Sequence, residues 1–140
     1  MKRFIASSLL ILLVIGTGFI QSGCKDWSSP NKVKRLITQG QWHFSSIYID
    51  NVDRTNDFSA YEFRFFESGD ITVIGDTTVT GLWSTDVNKN PTTLQLNMTP
   101  FDPFYHLNAD WTFVICSKDE MRVELDHAGG LDVITMKKKI

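Results

Sequence analysis

The side chains able to do proton or metal chemistry are few and scattered. His43, His106 and His127 lie far apart, and none falls in the short spacing that lets two residues of one helix or hairpin reach a common metal ion. No serine sits in a Gly-x-Ser-x-Gly elbow, no glycine-rich loop opens a helix to cradle phosphate, and neither Cys24 nor Cys116 stands in a Cys–His nucleophile pattern. The best acid–base constellation is His127, next to Asp126 and close to Asp132. It occupies an Ala128-Gly129-Gly130 turn, where a solvated loop is the ordinary reading. These spacings predict no catalytic residue, no metal site, no cofactor and no enzyme.

A different chemistry is available to Cys24. Met1-Lys2-Arg3 is followed by an apolar run centred on Leu9 to Ile15, then by Gly16, Thr17, Gly18 and Gln21-Ser22-Gly23-Cys24. The apolar core is shorter than the roughly 20 residues that a retained membrane span needs, and the small residues after it suit a processing site. Signal peptide and retained anchor both place the rest of the chain outside the cytoplasm, because the positive charge stays inside. Gln21-Ser22-Gly23-Cys24 resembles the lipobox of bacterial lipoproteins, with Ser22 and Gly23 in the small positions and Gln21 where the family has an aliphatic residue. The resemblance implies acylation of Cys24 with palmitate-type chains after removal of residues 1–23, and a cell-envelope protein anchored by its N-terminal lipid to the outer membrane of a Gram-negative bacterium. Lys25-Asp26 looks like the signal that sends some of these lipoproteins to the surface, so a periplasmic and a surface location both stay open. Secretion without lipid, or retention of the uncleaved segment, is the alternative.

Cys116 lies in the apolar run Trp111-Thr112-Phe113-Val114-Ile115-Cys116 and reads as an ordinary buried thiol. In an oxidising compartment it could instead pair with Cys24, which acylation of Cys24 would prevent. Cleavage before Cys24 leaves 117 of the 140 residues, enough for one domain with a real core. Losing Lys2 and Arg3 from the 14 basic residues leaves 12 against 16 acidic ones, a net charge of −4, which offers nucleic acid no electrostatic purchase.

Residues 24–30 are polar and include Ser28-Ser29-Pro30, a tether between lipid and fold; residues 31–140 form the domain. Val33, Leu36 and Ile37 recur at helical spacing before Gly40, predicting one short helix. From Gln41 the period becomes two. Leu94, Leu96 and Met98 alternate with Gln95 and Asn97, and Met121, Val123 and Leu125 with Arg122 and Glu124. Regular turn signals divide the chain into about eight strands, near 41–50, 59–67, 70–75, 78–86, 92–99, 104–116, 120–126 and 131–138. Short strands with hairpin-length loops predict an all-β, antiparallel up-and-down meander that closes into a small eight-stranded barrel and hides its edges.

Gly40-Gln41-Trp42 after a short helix, then Tyr61-Glu62-Phe63-Arg64-Phe65, Gly81-Leu82-Trp83, Trp111-Thr112-Phe113 and Met121 to Leu125, are together similar to the lipocalin-like domain of bacterial lipoproteins, over most of residues 40–138. Where lipocalins carry an arginine late in the barrel to cover the first tryptophan, this chain offers Lys137 to Lys139. The resemblance implies a lipocalin-like (calycin-type) barrel and a cup for a small apolar ligand; if the cup exists, strand alternation makes Tyr48, Tyr61, Phe63, Trp83 and Trp111 its inward-facing lining, with plain core packing as the other reading of each. An eight-stranded barrel is just wide enough either to hold one small ligand or to be filled by its own side chains. Fourteen of the 17 aromatic residues lie between Gln41 and Ile140, sufficient to fill it. Two functions therefore stay open: a binder of a small apolar ligand, and a non-enzymatic interaction or inhibitor module with a filled core that meets an envelope protein through its loops, Phe101 to Tyr105 above all.

Overall fold

The computed structural model describes residues 31–140 except 87 and 90. The segments expected as signal peptide and tether, with Cys24 between them, lie outside the described residues. Helix α1 (Lys32–Ile37) buries Val33 and Ile37 and is followed by Gly40, whose φ of +91° turns the chain into the first strand. The strands are β1 (Trp42–Ile49), β2 (Val52–Asp53), β3 (Glu62–Phe65), β4 (Asp70–Ile74), β5 (Thr78–Asp86), β6 (Thr93–Met98), β7 (Ala109–Cys116), β8 (Glu120–His127) and β9 (Gly130–Lys138). From β3 to β9 each strand pairs antiparallel with the next. β9 closes on β1 from Trp42 opposite Lys138 to Tyr48 opposite Val133, and β1 touches β3 at Trp42 and Phe63. The result is the expected closed eight-stranded antiparallel barrel, with β2 as a short extra strand.

Three segments differ from the sequence reading. The span 51–61, expected to hold a loop and the start of a strand, folds as a hairpin and helix α2 (Thr55–Phe58). Asp50 and Asn51, both at positive φ, make the two-residue turn that joins β1 to β2, the conformation that Asp and Asn tolerate best. The Asp53 carboxylate then accepts the Thr55 N–H at 2.9 Å, which starts α2. The strand expected at 104–116 opens instead with a 3-10 turn, Phe104–Leu107.

The third difference is parity. The pairing of β1 with β9 shifts register between Phe44 and Ser46, and that of β7 with β8 between Phe113 and Ile115. Each is a bulge in which one extra residue faces a single partner residue, so inside and outside exchange beyond it. Ile47 and Ile49 therefore point inward and Tyr48 outward, against the strict alternation that placed Tyr48 inside. In β7 the same device turns Val114 out and carries Cys116 into the core.

Side chains from all eight strands fill the interior. Phe63 stacks on Phe44 with ring centroids 4.0 Å apart and planes 6° from parallel, and Phe58 from α2 meets Phe44 at 5.3 Å. Phe65 meets Trp83 edge to face at 5.7 Å. Trp111, Phe113, Leu94, Met121, Val123 and Ile134 belong to the same buried cluster.

Each end of the barrel has its own closure. At the entry end, where the chain arrives, α1 lies against Trp42, whose indole N–H donates to the Ile37 carbonyl at 2.8 Å. At the far end Phe104 meets Phe58 at 6.0 Å and Tyr61 at 5.0 Å, so α2 and the 3-10 turn form a plug. Gly75 makes room for it, since a Cβ there would stand 2.4 Å from the Tyr61 ring.

Candidate functional site

The residues expected to line a cup are mostly part of the packing. Phe63 and Trp111 are fully buried, and Trp83 nearly so. All three described indoles use their N–H on a backbone carbonyl at a barrel end: Trp42 on Ile37, Trp83 on Phe66 at 2.9 Å, and Trp111 on Leu107 at 2.8 Å. A buried indole needs such a partner, and once bonded it has no polar handle left for a ligand. Tyr61 is half-buried in the far-end plug. Tyr48 is 43% exposed on the outer wall, which corrects its inward assignment; the bulge at Ser45 is the cause. The structure thus brings Phe63, Trp83 and Trp111 into one core, leaves Tyr61 at its rim and separates Tyr48 from all of them.

Lys138 Nζ sits 5.3 Å from the centroid of the Trp42 ring, a cation over an aromatic face. It occupies the place in which the sequence offered only Lys137 to Lys139 for a covering cation. Cys116 is buried and disulfide-bonded, a correction to the reduced thiol expected there. The sequence holds one other cysteine, Cys24.

His127, Asp132 and Asp50 come together at the far end. Asp132 is an inward-facing carboxylate only 5% exposed, and it accepts the Asp50 N–H at 2.8 Å and bonds His127 Nε2 at 2.9 Å through the same oxygen. The Asp50 carboxylate stands 3.7 Å from Nε2. The hydrogen bond to Asp132 raises the His127 pKa above its usual value; partial desolvation opposes this, and the charges of Asp132, Asp50 and Asp126 add to it. In the neutral ring Nδ1 accepts the Gly129 N–H at 3.1 Å, so Nε2 carries the proton and donates it to Asp132. A metal bound at Nε2 requires the opposite tautomer, with Nδ1–H donating. The three side chains therefore clasp the β1–β2 turn to the β8–β9 hairpin, assisted by Asn51 Nδ2 donating to the Gly129 carbonyl at 3.3 Å. The sequence pointed to His127, Asp126 and Asp132; Asp50 was missed because its approach depends on the positive-φ turn.

The outer wall is divided by charge. Asp110, Arg122, Glu124 and Asp126 point outward from β7 and β8. The outward positions of β5 and β6 are uncharged at Thr78, Thr80, Leu82, Ser84, Gln95 and Asn97; Asp86 ends β5 on the same side, and Asp70 of β4 stands opposite Leu82 and Asp110 of β7 opposite Gln95. At the far end this uncharged wall runs into a groove of about 440 Å³ lined by Tyr61, Thr77, Thr78, Thr80, Thr99, Phe101 and Asp102 among others. Phe101 is 72% exposed there. A second depression of about 370 Å³ continues along the same wall over Leu82, Ser84, Gln95 and Asn97 to Ser68 and Gly69.

No protein-family profile matches the chain, and no curated protein matches it. Among solved structures, a DUF4847 family protein from Bacteroides vulgatus superposes with a TM-score of 0.54 at 15% identity, over 76% of this chain and 97% of that one. At that identity the likeness is one of fold.

Proposed function

We propose that this chain is an exported, tethered, lipocalin-like barrel that recognises its partner on the outer wall and far-end loops and performs no chemistry. The packed interior carries the reading: stacked Phe44 and Phe63, three internally bonded indoles and the Phe58–Phe104 plug occupy the space in which a lipocalin-type ligand would sit. The filled-core alternative is thereby preferred to the apolar cup. The direction of the tether supports the same face. Residue 31 enters beside α1, so a membrane anchor upstream of it would leave the plugged far end, with Phe101, pointing away from the bilayer.

Anchoring through lipid on Cys24 is part of the proposal. Acylation consumes the Cys24 thiol, and the sequence has no third cysteine for Cys116. The disulfide described at Cys116 and a lipid on Cys24 are therefore mutually exclusive states of the chain: acylation leaves Cys116 as a buried thiol, and oxidation first leaves the chain without its lipid. Mass spectrometry of the N-terminal peptide, with and without reduction, separates these outcomes: a diacylated Cys24 supports the anchor, and a reducible Cys24–Cys116 peptide refutes it. For the binding mode, the purified mature chain is titrated with palmitate, retinol and haem while tryptophan emission is followed. Unchanged emission is expected, and saturable quenching at micromolar ligand would restore the cup.

A further inference from the structure

We infer that the uncharged wall of β5 and β6, together with the far-end groove, is a binding track for an extended neutral saccharide. The inference rests on the proposal that recognition occurs outside the barrel, and it names the chemistry of what is recognised. The outward side chains along the track are hydroxyls of Thr78, Thr80 and Ser84, amides of Gln95 and Asn97, and one aliphatic group, Leu82. Thr80 is followed on the same face by Leu82, and Thr99 is preceded by Asn97, so the groove and the second depression form one path. From Thr78 to Ser84 it extends roughly 20 Å at the rise of a β-strand.

This composition selects by exclusion as well as by attraction. No lysine or arginine lines the groove or the second depression, which disfavours an anionic polymer such as nucleic acid or an acidic glycan. The path is open to solvent, so a wholly apolar ligand would stay half wet. A pyranose matches it: one apolar C–H face to lie on an exposed ring, and hydroxyl edges to exchange hydrogen bonds with threonine hydroxyls and side-chain amides. Phe101 supplies that ring at the mouth, and the neighbouring Asp102 carboxylate, 70% exposed and 3.3 Å from His106 Nε2 through Oδ1, has a second oxygen to accept from a sugar hydroxyl. The groove falls within the usual size range of a ligand site, and the wall beyond it can take further sugar units of the same chain.

The test uses the full chain in detergent with neutral oligosaccharides of glucose, mannose, galactose and N-acetylglucosamine, from disaccharide to hexasaccharide, followed by calorimetry and ligand-observed NMR. At least one series should bind, with affinity rising with length. Phe101→Ala should weaken it about tenfold, the effect of losing one stacked ring face. Asn97→Ala should weaken the hexasaccharide more than the disaccharide, and Glu124→Gln on the charged side should change neither. No binding in any series at about 10 mM overturns the inference, as does binding indifferent to Phe101→Ala. If Phe101→Ala instead abolishes capture of an envelope protein while no saccharide binds, the saccharide is refuted and recognition through the outer wall stands. Saturable quenching by palmitate, retinol or haem would remove the outer-wall reading itself.

Discussion

Replacing Phe63 by alanine distinguishes a packed barrel from a hollow one. The Phe63 ring is buried, stacked at 4.0 Å on Phe44 and 6.3 Å from Phe58, with neighbours from β1 and α2 that are themselves held in place. In such a site the alanine loses the transfer energy of the ring and leaves a hole that its surroundings cannot close, together about 3–5 kcal/mol. Against a total stability of about 5–15 kcal/mol the variant keeps a folded population wherever the parent chain exceeds about 5 kcal/mol. With a urea dependence of ~2 kcal/mol per molar, its unfolding midpoint drops by about 2 M. The hole is apolar and the size of a ring, so the variant should bind benzene and recover part of its stability while the parent chain is indifferent to it. In a hollow cup the same ring would line an existing cavity and its removal would open little new void. A loss below about 1 kcal/mol, or a parent chain that already binds benzene, would refute the packed interior.

Three further outcomes follow from local contacts. Lys138→Met should cost about 1 kcal/mol by removing the cation over Trp42, and Lys138→Arg should restore it; equal stability of all three proteins in urea would show that the contact is incidental. The His127 pKa, read by NMR titration, should lie above the ordinary 6.5 and fall toward it in Asp132→Asn. Because the folded pKa is the higher one, its contribution to stability is complete below the unfolded value of about 6.5 and disappears as pH rises through the folded pKa; the deficit of His127→Gln should shrink over that window, and growth with pH would contradict the assignment. Deleting Ser45 removes the bulge while keeping every inward residue of β1 on its side, and it loses the hydrogen bond from Ser45 Oγ to the Thr135 carbonyl, about 1 kcal/mol. Deleting Arg122 from β8, where the register with β9 is unbroken, puts one side of that strand's core residues into water and should abolish folding; similar behaviour of the two deletions by circular dichroism would contradict the bulge account.

Period-two alternation was enough to place most strands, because one face of each is buried and the other wet, and the turn residues marked where they end. Tyr48 shows where that rule stops. Parity propagates only while the ladder is regular, and a bulge is set by how β1 meets β9, ninety residues away, rather than by the residues around Ser45. The same limit hid Asp50 from the histidine cluster. The question of cup or core has another origin: alternation says which rings point inward, while the volume left depends on how rings from β1, β3 and α2 interlock. That interlocking uses a helix absent from the sequence reading, since α2 delivers Phe58 onto Phe44, and Phe104 from the loop closes over both. Once the interior and both ends are occupied, the surfaces left for recognition are the wall and its loops. The uncharged half of that wall was in plain view as residues 77–85 and 91–99, which contain no charged side chain. It carried no meaning until the register placed Thr80, Leu82 and Asn97 side by side on the outside, leading to the exposed ring of Phe101.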